Sequence, residues 1–415
     1  MLDNATTLKE EHNGGVGTIS VSLVHDQDGR SFRQTNRWST AAAAGMHCRM
    51  EEEAKPPPTL LQRIEQSDPS FKELAGFGGY SYSRIAAALR KNASITSFKL
   101  ANCQLGGNSD DGCIYLMQAL IARRSSLKRI SLARNFIGIR GANAVADFVR
   151  ASQEDPSIYH SIRLDLLQNC FGDEGARVLA DAITDGIKQG KTQTIADIGL
   201  EKNRIGDDGL LHLSNMLQEN NMLHTLRLGK NDITQEGVVK SLAPVLKKNT
   251  TLRLLDLSGN RQIGDLGAAA LADALSFNQT LETMILTKCS ISDKGAMSLL
   301  EALYDCTSPL SVLEESNHTL RELIVCQNPI LSTSFVGETK FLRDAVLWNQ
   351  QGIASSRIYK LNSFLMSSEG TRYAHSTVMP IELIPKLMYK IWRIDKSSID
   401  AVYSYMRGMP QILEI

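Results

Sequence analysis

Few residues in this 415-residue chain stand at spacings that do chemistry. The eight histidines are scattered, and only His212 and His224 fall in neighbouring segments. General acid–base work needs a positioned partner, and neither has one beside it in sequence. No P-loop, G-x-S-x-G, H-E-x-x-H or paired Cys/His spacing occurs. What does recur is acid between small residues: Gly172-Asp173-Glu174-Gly175, Gly206-Asp207-Asp208-Gly209, Gly264-Asp265-Leu266-Gly267 and Ser292-Asp293-Lys294-Gly295. Converging carboxylates of this kind can hold a divalent cation. A carboxylate at a helix start instead accepts backbone N–H groups and complements the helix dipole. Recurrence at one phase of a longer repeat favours the cap, so the expectation is no catalytic residue, no metal and no cofactor.

The element that must position these groups is written as L-x-x-L-x-L-x-x-N/C-x-I/L. Its Asn/Cys position falls at Cys103, Asn135, Asn169, Asn203, Asn231, Asn260, Cys289 and Asn328. Such a period means a solenoid, in which each unit buries its apolar face only against its neighbours. In the unit at Asn231, Leu223, Leu226 and Leu228 alternate inward along a short strand, and Ile233 follows the Asn. An Asn side chain both donates and accepts, so it can satisfy backbone groups in the turn that leaves the strand. Gly237 then opens a helix whose apolar stripe is Val238, Leu242, Val245 and Leu246. The predicted fold is α/β, a leucine-rich-repeat solenoid with a helical C-terminal cap.

The frame divides the chain. Residues 1–57 carry no repeat, are polar and Gly-rich, and end in charge followed by Pro56-Pro57-Pro58, which predicts a disordered or weakly structured lead. Residues 58–94 hold a short amphipathic helix (Leu60, Leu61, Ile64) and a worn first repeat with Phe71 and Leu74 on the Leu positions. Residues 95–350 are the repeats, and 351–415 the cap, with helices expected over 381–392 and 397–406. Loops lengthen after Cys103 (Gly106 to Asp111) and after Cys289 (Asp305 to Pro309). Forty-five basic residues cancel forty-five acidic ones, which argues against a whole-chain nucleic-acid or membrane-surface role. No stretch approaches the roughly 18 apolar residues of a membrane span, and no secretory leader is visible at Met1. Seven cysteines without C-x-x-C, three of them (Cys103, Cys289, Cys326) on repeat positions, predict core thiols and a reducing compartment, cytoplasm or nucleus. The N-x-S/T matches at Asn92, Asn249 and Asn278 share one repeat slot, which predicts a structural rather than a glycosylated asparagine. Asn4 and Asn317 also match.

Segments such as Leu223-x-x-Leu226-x-Leu228-x-x-Asn231-x-Ile233-x-x-x-Gly237, followed by a helix ending in Leu246-Lys247-Lys248-Asn249, resemble the ribonuclease-inhibitor-like class of leucine-rich repeats. The resemblance covers roughly residues 68 to 345. The class includes ribonuclease inhibitors, innate-immune receptor repeats, Ran GTPase-activating proteins and tropomodulins, and Leu60 to Leu74 is similar to the start of the tropomodulin repeat domain. The resemblance implies a right-handed solenoid (horseshoe) that binds proteins, with parallel strands on the concave face and helices on the convex face. It leaves open small-GTPase regulation and binding at the pointed end of actin filaments.

If the inward Leu positions fix the strands, the residues between them face the concave side. The central row should be Lys99, Ser131, Asp165, Gly199, Arg227, Asp256, Ile285 and Ile324. The row before it should be Ser97, Arg129, Arg163, Asp197, Thr225, Leu254, Thr283 and Glu322. The row just before the Asn is Asn102, Arg134, Gln168, Lys202, Lys230, Gly259, Lys288 and Gln327. Lys99, Arg129 and Arg163 gather charge at the N-terminal end, with Asp165 and Asp197 beside them. Leu254, Ile285 and Ile324 put apolar side chains on the same face at the other end. Arg-rich edges and exposed apolar positions are what protein partners use. The expectation is a monomeric, non-enzymatic scaffold for a protein partner. Lys202, Lys230 and Lys288 offer only a weak nucleic-acid footprint in a neutral chain with few aromatics.

Overall fold

The structure is a computed structural model that describes residues 60–67, 73–75, 81–329 apart from 93, 108, 123–125, 156, 159 and 306–314, and residues 349, 350 and 360. The expected N-terminal lead and both C-terminal helices lie outside the described residues, as does the segment inserted after Asp305. Nine strands form one parallel sheet in sequence order: β1 (Glu73–Ala75), β2 (Ser97–Lys99), β3 (Arg129–Ser131), β4 (Ile162–Asp165), β5 (Ile195–Gly199), β6 (Thr225–Arg227), β7 (Leu254–Asp256), β8 (Thr283–Ile285) and β9 (Glu322–Ile324). Helices return the chain between strands: α1 (Leu60–Glu65), α2 (Tyr82–Lys91), α3 (Asp111–Ile121), α4 (Ile139–Gln153), α5 (Gly172–Lys188), α6 (Asp207–Glu219), α7 (Gln235–Gly237), α8 (Ala243–Leu246), α9 (Gly264–Phe277) and α10 (Asp293–Leu303). The worn first repeat supplies β1, with Leu74 in register with Phe98.

One continuous core runs the length of the solenoid between sheet and helices, from Ile64 to Leu320. Strands β2 to β8 contribute their inward residues (Phe98, Ile130, Leu164, Ile198, Leu226, Leu255, Met284), and the longer helices contribute their apolar stripes. Every such side chain is worth roughly 1.5–3 kcal/mol of burial, which explains why so regular a pattern survives in the sequence.

The asparagine ladder stitches the repeats. The Asn231 amide donates to Leu200 O (2.9 Å) and Leu228 O (3.0 Å), and its Oδ1 accepts from Asn203 N–H (2.8 Å) and Ile205 N–H (3.1 Å). Asn169, Asn260 and Asn328 repeat this arrangement. Where Cys289 takes the slot, its thiol donates to Leu257 O at 3.3 Å, and Asn260 N–H makes a long 3.4 Å bond to the same carbonyl. Cys103 is half-buried and Cys113 buried, whereas Cys326, expected in the core, is exposed because it follows an inward Val325 and faces out of the sheet.

A second ladder closes the opposite turn, from helix back to strand. Oδ1 of Asn220, Asn249, Asn278 and Asn317 each accepts two backbone N–H groups at 2.7–3.1 Å. Their amides, where described, reach back to the preceding repeat, as Asn249 does to Leu217 O and Asn278 to Leu246 O. Asn92, Asn249, Asn278 and Asn317 are all buried, so the sequon-like triplets are structural.

Two local expectations are corrected. The recurrent Asp does not cap its own helix; it caps the next one. Asp173, in α5, accepts from Gly206 N–H (2.6 Å) and Gly209 N–H (3.0 Å) at the start of α6. Asp110, Asp207 and Asp265 do the same for the helices that follow them. The glycine is forced by this contact: a Cβ on Gly237 would stand 2.2 Å from Asp207 Oδ1. Burial pushes the Asp265 carboxyl up, but hydrogen bonds from Ser292 Oγ–H, Ser292 N–H and Gly295 N–H together hold it below its ordinary value. The lengthened loop after Cys103 ends in Asp110 in the left-handed region (φ 57°), which restores this staple. The helix expected after Gly237 is also not continuous: a π turn spans Val238–Leu242, with Ala243 N–H reaching back to Val238 O. Pro244 has no N–H to donate, so the ladder widens by one residue ahead of it.

Candidate functional site

The strand pairing sets both concave rows in the order read from the sequence. Ser97, Arg129, Arg163, Asp197, Thr225, Leu254, Thr283 and Glu322 are successive register partners, as are Lys99, Ser131, Asp165, Gly199, Arg227, Asp256, Ile285 and Ile324. The third row, just before the Asn, lies in the turn: its non-glycine members all adopt φ between 55° and 59°, so these side chains leave the sheet edge instead of extending its face.

Seven of the twelve candidate residues converge. Lys99, Arg129, Arg163, Asp165, Asp197 and Arg227, with Ser131 at their base, line a concave cleft of about 400 Å³ spanning β2 to β6. Ser131 departs from a wetted position: it is 8% exposed, and its hydroxyl donates to Asp165 Oδ2 at 2.7 Å. Asp165 Oδ1 also accepts Leu167 N–H at 3.2 Å. Arg227 Nη1 donates to Asp197 Oδ1 at 2.7 Å, so this pair bridges β5 and β6. Arg129 and Arg163 stand opposite one another, both exposed.

The remaining candidates form a separate patch. Leu254, Ile285 and Ile324 are half-buried on β7 to β9; Asp256 lies at its edge, and Glu322 is exposed and accepts from Thr283 Oγ1 at 3.4 Å. At roughly 4.8 Å per strand, β9 lies nearly 30 Å along the sheet from β3.

One residue of the cleft was missed from the sequence. Glu201 stands on a further outward row, immediately after the third inward Leu, where its neighbours are Ala133, Leu167, Gly229 and Ser258. Its carboxylate lies over Gly199, 3.0 Å from where a Cβ on that glycine would stand. Burial pushes the Glu201 carboxyl up to about 7; its own backbone N–H and the Arg227 guanidinium oppose this, and Asp165 and Asp256 add to it. Extending the rows two residues past the central one would have found it, since a lone acid stands there among small and apolar residues.

Among the described residues no group of three His, Cys, Asp or Glu side chains is placed to hold a metal ion. No helix among them is long and apolar enough to cross a membrane. The cleft offers charge pairing and hydrogen bonding, as in the Arg227–Asp197 and Ser131–Asp165 pairs.

A leucine-rich-repeat family model matches residues 161–180, 219–240, 248–272 and 277–300. The ribonuclease inhibitor of Sus scrofa is 32% identical over 92 residues, covering 22% of this chain and 20% of that protein. The chain carries leucine-rich repeats similar to those of ribonuclease inhibitor. This repeat protein is also similar to human centrosomal protein of 78 kDa, 29% identical over 169 residues that cover 35% of the chain and 23% of that protein. Human NACHT, LRR and PYD domains-containing protein 5 is 26% identical over 305 residues, 70% of the chain and 23% of that protein. The leucine-rich-repeat protein thus spans a quarter or less of the length of each of these relatives.

Proposed function

We propose that the chain is a protein-binding scaffold that presents its partner with the concave sheet. The observation that carries this reading is the pair of uninterrupted outward rows, which change along the solenoid from a charged cleft on β2 to β6 to a half-buried aliphatic patch on β7 to β9. Such a division suits a protein surface, with apolar area for burial and fixed charges for orientation. The strands are held by ladders at both turns, so little further ordering is required on binding. The likeness to a protein whose name is ribonuclease inhibitor supports the same direction.

Affinity capture with the full chain, followed by identification of what is retained, tests the reading. The expected result is a discrete protein partner whose retention falls when Leu254 and Ile285 are changed to Glu. Retention unaffected by those changes, with folding intact, would contradict it. If the partner is a small GTPase or actin, hydrolysis rate or polymerisation kinetics then reports whether the scaffold alters its activity.

A further inference from the structure

Arg129 and Arg163 are direct register partners on β3 and β4, and both are exposed on the concave face. Like charges opposite one another across a strand pair are unfavourable. The acids that could relieve them are engaged elsewhere. Asp197, the register partner of Arg163 on the other side, is held by Arg227 at 2.7 Å. Asp165, two residues along β4, accepts from Ser131 Oγ–H and Leu167 N–H. Among the described residues neither guanidinium has an ion pair or a side-chain hydrogen bond. The cleft is lined by four cations (Lys99, Arg129, Arg163, Arg227) and three carboxylates (Asp165, Asp197, Glu201), so cations outnumber acids along it.

We infer that Arg129 and Arg163 form a clamp for a carboxylate on the protein partner, an Asp or Glu side chain in an acidic segment that lies along the concave face. This rests on the concave-face reading and names the chemistry that face recognises. Two planar forks at adjoining strand positions match the two oxygens of a carboxylate. A phosphate dianion on the same forks would bring its second charge toward Asp165 and Asp197, the acids that flank them, where like charges repel.

The test is fluorescence anisotropy of the full chain with three labelled hexapeptides at low salt: one of glutamates, one of alternating phosphoserine and glycine, and one of lysines. The glutamate peptide should bind, and the lysine peptide should not. The double variant R129Q/R163Q should weaken glutamate-peptide binding at least about tenfold. K202Q/K230Q, which removes the same charge from the turn row, should leave it within about twofold. Circular dichroism should report the same folded signal for all. Equal loss in both double variants, no binding by the wild-type chain, or tighter binding of the phosphoserine peptide would overturn the clamp. Partner capture is then measured with R129Q/R163Q and with I285E. If the clamp fails while I285E still abolishes capture, the concave-face reading stands; if capture ignores both, that reading fails as well.

Discussion

Replacing Asn231 by alanine removes one rung of the ladder at the centre of the solenoid, and the cost follows from its partners. Leu228 O keeps a second donor, the Asn260 amide at 3.0 Å. Leu200 O, Asn203 N–H and Ile205 N–H lose their recorded side-chain partner in a buried turn. A buried backbone group left without a partner costs about 1–3 kcal/mol, so three of them place the loss at about 3 kcal/mol or more. The chain carries its own control, because Cys289 occupies this slot two repeats later and its thiol still reaches a carbonyl. Asn231→Cys should therefore lie between wild type and Asn231→Ala. Urea denaturation gives the order, and hydrogen exchange locates the damage. In the alanine variant the amides of Asn203 and Ile205 should lose protection, while those of β2 and β3 keep theirs, as expected of a stack coupled through nearest neighbours. An alanine variant within about 1 kcal/mol of wild type, or a cysteine variant no better than alanine, would refute the reasoning.

Two further outcomes follow from the same contacts. Gly237→Ala should destabilise strongly because its Cβ meets Asp207, and much of that cost should vanish in an Asp207→Ala background; a double-mutant denaturation cycle with no coupling would place the strain elsewhere. The Glu201 carboxyl is raised from 4.5 to about 7 in the fold, so the folded chain binds more protons than the unfolded one between those values. Its contribution is present in full below about pH 4.5 and is lost as pH rises through about 7, on the order of 3 kcal/mol at most. Glu201→Gln should remove that loss, so the variant gains on wild type across this window when denaturation is followed from pH 4.5 to 8; a pH-independent difference would contradict it.

The inward Leu positions, the asparagine rungs and the two concave rows were legible because a strand's period of two leaves no freedom once one residue is placed. The sequon slot of Asn249 and Asn278 was legible as structural for the same reason. What the local pattern did not disclose is where each polar group sends its bonds. Asp173 sits in a motif that reads as a self-cap, yet its partners, Gly206 and Gly209, belong to the next repeat. The π turn before Pro244 was hidden by an apolar stripe that keeps Val238, Leu242 and Leu246 buried in either geometry. Glu201 was overlooked because its row is elsewhere small or apolar. Ser131 looked wetted because its burial under Asp165 depends on a side chain 34 residues away.

The central claim is that the partner lies on the concave face. A photo-reactive side chain can replace Lys99, Asp256 or Ile285 on that face, and separately Leu211, Val239 or Met297, which are 43%, 44% and 37% exposed on the helical side. Crosslinking of the captured partner in the full-chain complex is then read by mass spectrometry. The account predicts adducts from the concave positions and none from the helical ones. Adducts from Leu211, Val239 and Met297 with none from Lys99, Asp256 and Ile285 would contradict it.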